Sequence, residues 1–120
     1  AQLPAKMLDE AVEINGVKVV TMAGTYLPDM VKNVAFGVRT ASPANTAFLG
    51  ATSDMSGKPL LTVMFTNDLV EAGHNASKLV REAARSIKGG GGGQPGFAQA
   101  GGKEAEGLGA ALDVMRASLK

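Results

Sequence analysis

Residues 89–103 read GGGGGQPGFAQAGGK, and no other stretch limits the fold as strongly. Glycine loses more backbone freedom on folding than any other residue, so an ordered run of five is costly. Either the tract is a flexible linker, or another group must approach its backbone more closely than side chains allow. A linker has no use for Pro95, Phe97 or the following AQAGG, nor for amphipathic patterns on both flanks. The tract is therefore expected to be an ordered loop.

The segments around it set the fold class. Asn15-Gly16 is a strong turn dipeptide. Residues 17–23 alternate as a strand buried on both faces, and the apolar run Leu60 to Thr66 reads as a central strand. Residues 45–53 form a further strand, followed by a turn from Asp54 to Pro59. Pro28 and Asp29 open a helix over 28–41 that Ser42-Pro43 ends. Residues 4–11 suit the end of a preceding helix. A long helix is expected over 68–88, capped by Thr66 or Asn67, and an amphipathic one carries Leu108, Ala111, Leu112, Met115 and Leu119. The fold class is α/β (α+β), a small mixed sheet covered by helices.

With 120 residues the chain suits one domain, able to bury roughly two thirds of its unfolded surface. The absence of cysteine removes thiol catalysis, thiolate metal sites and disulfides. No apolar run reaches the length of a membrane span, so no membrane partner is expected, and the location is expected to be cytoplasmic. The first residue is not Met, which suggests a piece of a longer chain. Net charge is +1, so nucleic-acid binding would have to come from local clustering.

Such a cluster exists. His74, Lys78, Arg81, Arg85 and Lys88 recur at spacings of four and three, one stripe of the expected long helix. The bland alternative is a solvated face with cations at the helix C-terminus. The adjoining glycine tract favours a phosphate-binding surface, since cations and accessible amides are what phosphate requires. The candidate RNA-binding residues are Lys78, Arg81, Arg85 and Lys88, then Gly89, Gly90, Gly91, Gly92, Gly93, Gln94, Phe97, Gln99, Gly101, Gly102 and Lys103. Gln94 and Gln99 would donate hydrogen bonds, and Phe97 would stack.

Catalysis finds little support. Gly91-x-Gly93-x-x-Gly96 matches a dinucleotide fingerprint but follows a helix and contains Pro95. Gly102-Lys103 lacks the other parts of a phosphate-binding P-loop. His74 is the single histidine, without partners for a metal site, and no nucleophile elbow is present. Asp9, Glu10 and Glu13 read as a solvated helix end. No catalytic residue and no metal ligand is assigned.

The stretch GGGGGQPGFAQAGGKE, preceded by ASKLVREAA and opened by Asn15-Gly16-Val17, resembles the C-terminal C-Ala (DHHA1-type) domain of alanyl-tRNA synthetases across essentially the whole chain. The resemblance implies a domain over residues 12–120, with 1–11 the last turns of a preceding helical segment. It implies binding to the outer corner of tRNA(Ala), where D- and T-loops meet, and no cofactor of its own. The ATP, Mg and Zn of such enzymes belong to upstream catalytic and editing domains. Gln94 stands where Arg is frequent and Glu104 where Asp is frequent, which lowers local positive charge. A dimerisation module, through the C-terminal helix or residues 3–11, is the second reading, giving a homodimer. The substrate-binding half of a DHH-type phosphoesterase is the third, although the family's loop His is replaced by Gln94-Pro95.

Overall fold

Asn15 and Gly16 both have positive φ, 52° and 83°. That turn folds β1 (Val12–Ile14) back antiparallel on β2 (Val17–Thr25). This computed structural model describes residues 11–42 and 44–119, so the helix expected over 4–11 lies outside the described residues except for Ala11.

From β2 the chain crosses through helix α1 (Pro28–Ala41) to β3 (Thr46–Ser53), which runs parallel to β2, a pairing that requires such a crossover. α1 ends at Ser42, with a φ of −138° that suits a residue before proline. β4 (Pro59–Phe65) returns antiparallel to β3. In their connection, Asp54 Oδ1 accepts from Ser56 N, Ser56 Oγ and Lys58 N. These bonds, led by the Ser56 hydroxyl, hold the Asp54 carboxyl below its ordinary range.

After β4 come two short helices, α2 (Asn67–Glu71) and α3 (Ala76–Ala83), and a 3₁₀ turn over Ala84–Ile87. The expected single helix over 68–88 is therefore broken. Gly73, at φ +112°, stops α2: its N–H donates to Val70 O, and His74 N–H donates to Leu69 O. This is a Schellman stop. Asn75 then starts α3, its side chain accepting from Lys78 N at 3.0 Å, an N-cap.

The second difference is the glycine tract. It is a strand, β5 (Gly90–Gln94), paired antiparallel with β6 (Phe97–Gly101). β6 also pairs with β4. Among the described residues the sheet has six strands in the order β1-β2-β3-β4-β6-β5. The chain closes with α4 (Leu108–Ala117).

Strand alternation sorts the core into two layers. On one side Val19, Leu49, Leu61, Val63, Phe65 and Ala98 pack with Leu79, Val80 and Ala83 of α3 and with Ala111, Met115 and Leu119 in and after α4. On the other, Val20, Met22, Phe48 and Met64 pack with Val31, Val34, Ala35 and Val38 of α1. The mixed sheet covered by helices is as expected, and α4 spends its apolar face on its own sheet.

Candidate nucleic-acid interface

None of the five consecutive glycines has positive φ, so backbone conformation does not require them. Space does. A Cβ on Gly91 would collide with Gln99 O and lie 2.6 Å from Ala100 Cα. A Cβ on Gly93 would come within 2.7 Å of Phe97 O, and one on Gly89 would collide with Gly101 O. Gly89, Gly91 and Gly93 therefore press onto β6. Gly92 faces α3, where a Cβ would stand 3.3 Å from Ser77 Oγ and 3.4 Å from Arg81 Nε. Gly90 alone of the five looks into open space. Gly102 is excluded from bearing a side chain by Ile87 O, while Gly101 has ordinary room.

The hairpin is held against α3 and the 3₁₀ turn. Gly93 N–H reaches Ser77 Oγ at 3.4 Å, and Gly89 N–H donates to Ala84 O at 3.0 Å. At the turn, Pro95 O accepts from Ala76 N and Gly96 O from Phe65 N, both at 2.9 Å. Besides the glycine amides that bond β6 in the ladder, two more are thus already bonded within the protein. Gly91, between them in the same orientation by ladder alternation, is exposed.

Lys78, Arg81 and Arg85 are exposed on α3 and the 3₁₀ turn, with Arg81 beside Gly92. Lys88, in the left-handed region at φ 50°, pairs with Glu104 at 3.2 Å across two exposed side chains. Lys103 is exposed, and its N–H donates to Ile87 O. His74 stands off the helix, in the connection between α2 and α3: its ring is 5.1 Å from that of Phe65, and it lines one cavity with Lys78 and Glu82. Gln94 is exposed at the hairpin end.

Two expected contact residues stand on the other side of the sheet. Phe97 is half-buried 4.8 Å from Phe36 of α1, and Gln99 Nε2 donates to Thr62 Oγ1 at 3.2 Å. Arg81 meets the glycine strand, while Lys78 lines a cavity with His74 and Glu82; Phe97 and Gln99 join neither.

A DHHA1 domain family model matches residues 28–120. The chain belongs to the DHHA1 family. This DHHA1 domain is 45% identical over 113 residues to an alanine–tRNA ligase of Bacteroides thetaiotaomicron, a match covering 94% of the chain and 13% of that relative. It thus spans about an eighth of the relative's length. Its fold matches the C-Ala domain of Aquifex aeolicus alanyl-tRNA synthetase with TM-score 0.80 at 21% identity, over 91% of this chain and 96% of that one. It also matches a DHH-domain protein described as a member of the s1p family of ribosomal proteins, with TM-score 0.61 at 12% identity, over 98% of this chain and 29% of that one. Sequence relatives and fold together support a C-terminal domain of an alanyl-tRNA synthetase.

Among the described residues of this DHHA1 domain, no group of three His, Cys, Asp or Glu could hold a metal ion. No helix there is long and apolar enough to cross a membrane. Ser77 was missed by sequence reasoning: it is buried, on the inner side of the helix that carries the cations, and it ties Gly93 to them. The small residue on an otherwise apolar helix face was its only signal.

Proposed function

We propose that this chain is a tRNA-binding appendage of an alanyl-tRNA synthetase. In this reading residues 12–120 act as one domain that docks on the outer corner of tRNA(Ala) in the cytoplasm. It aids aminoacylation and editing by upstream domains, which hold the ATP, Mg and Zn. The appendage itself performs no chemistry. One observation carries the reading: Arg81, in the exposed row Lys78, Arg81 and Arg85, stands at the backbone of a strand whose first four residues are glycine. Cations beside a strand of bare backbone suit a phosphate chain that must come close. Lys103, Gln94 and the exposed Gly90 and Gly91 extend that surface.

A few phosphate contacts give modest, strongly salt-dependent affinity. Tethering to other tRNA-binding domains raises the effective concentration without new contacts. Of the C-terminal helix residues named for a dimer, Met115 and Leu119 pack into the core and Leu108 and Leu112 are half-buried, which weighs against that surface.

The test is titration of the chain into labelled tRNA(Ala) at two salt concentrations, beside a tRNA with a disrupted corner. Binding should weaken with salt and with disruption. Lys78→Ala and Arg85→Ala should each reduce the slope of log affinity against log salt by about 1. No binding at low salt refutes the proposal.

A further inference from the structure

The cations discussed so far lie on one side of the sheet. On the other, α1 carries Lys32 and Arg39 around Phe36, at helical spacings of four and three. Arg39 Cζ lies 4.9 Å from the Phe36 ring centroid and Lys32 Nζ 5.9 Å from it. Phe36 in turn packs 4.8 Å from Phe97. The core side of α1 is supplied by Val31, Val34, Ala35 and Val38, and Phe36 stands half-buried beside it. Two cations on one ring repel each other, and among the described residues neither forms an ion pair. A bound anion would relieve that repulsion.

The hairpin turn links this cluster to the cations of α3. Phe97 follows the turn directly and pairs with Gln94, while Pro95 O accepts from the first residue of α3, Ala76. The turn thus connects the start of α3, at Ala76, to Phe97 beside Phe36.

We propose that α1 provides a second RNA contact, in which an unpaired base stacks on the outer face of the Arg39 guanidinium, itself stacked on Phe36, and Lys32 takes a flanking phosphate. This rests on the tRNA-binding reading and adds to it the moiety that is read. A guanidinium is planar and weakly hydrated, so it stacks on a base on one face and an aromatic ring on the other, which an ammonium does not. The strand would straddle the hairpin turn, with phosphates on the α3 side and one base on the α1 side.

The experiment measures affinity of the full chain for a tRNA(Ala) transcript, and for transcripts with a single abasic site at each unpaired corner position. Arg39→Gln and Phe36→Leu should each weaken binding by about 5- to 100-fold. Arg39→Lys should keep the salt dependence of the wild type while losing base dependence. At one abasic position the wild type should lose the same factor and Arg39→Gln nothing more. Wild-type affinity in Arg39→Gln, with weakened binding in Lys78→Ala, overturns the second contact and leaves the first standing. Equal binding of every abasic transcript by the wild type overturns the stack. Absence of tRNA binding by the wild type removes both readings. Arg39 is half-buried and outside both core clusters, so Arg39→Gln remains decisive if Phe36→Leu unfolds.

Discussion

Gly90 and Gly91 are adjacent, both exposed, and chemically identical, yet alanine should act oppositely at the two. At Gly91 the new Cβ would meet Gln99 O and stand 2.6 Å from Ala100 Cα and 2.9 Å from Ala100 Cβ. Ordinary carbon–carbon contact is about 3.5–4 Å, so the strands must separate by roughly 1 Å. The obstructing atoms are mostly backbone of β6, which is itself paired with β4 and cannot yield without losing ladder bonds. Overpacking of this kind costs about 1–3 kcal/mol, and each lost hydrogen bond about 1 kcal/mol more. Gly91→Ala should therefore destabilise by about 3 kcal/mol, lowering Tm by roughly 10 °C for a domain of this size. At Gly90 nothing lies within 4 Å and φ is not positive. Alanine there restricts the unfolded chain and should stabilise by about 0.4–1 kcal/mol. Thermal melts followed by circular dichroism compare the two. Equal Tm values would refute the close-packed glycine strand and return the tract to a flexible loop.

Other outcomes follow from single contacts. Asn75→Ala removes the cap of α3 and should cost about 1 kcal/mol, read from urea unfolding; no loss would mean that the cap bond is absent in solution. Asp68 accepts from Thr66 Oγ1 and from Asn45 N, which hold its carboxyl below the ordinary range, the Thr66 hydroxyl foremost. A carboxyl depressed on folding stabilises above its unfolded value, and that stability is lost as pH falls through the folded one. Asp68→Asn should accordingly melt lower than wild type at neutral pH, and the gap should close below the ordinary carboxylate range; a pH-independent gap contradicts this. Glu104→Gln breaks an exposed ion pair and should change stability by under about 1 kcal/mol. By freeing Lys88 it should strengthen tRNA binding at low salt; weaker binding would exclude Lys88 from the contact surface.

Much of the fold can be read from local pattern. The strands around Val17–Thr25, Thr46–Ser53 and Pro59–Phe65 and the helix Pro28–Ala41 follow from apolar alternation, Asn15-Gly16, Pro28 and Ser42-Pro43. The break between α2 and α3 was also legible, since Gly73 followed by Asn75 is a stop and a cap in succession. Continuous apolar periodicity concealed it. The consequence reaches the site: His74 is carried by a connection and not by the helix, and its ring packs on Phe65.

Chemistry carried by residue type was open to inspection in the chain: a cluster of cations, a tract unable to bear side chains, and no thiol or second histidine. Where those residues point was not. Glycine has no strand propensity to announce β5, so its pairing emerges only when β6 and α3 close over it from either side. Phe97 and Gln99 face α1 because of the β4–β6 register, and a shift of one residue would turn both to the opposite face. Register is settled by burial across the whole sheet, a non-local energy that no short stretch of sequence contains.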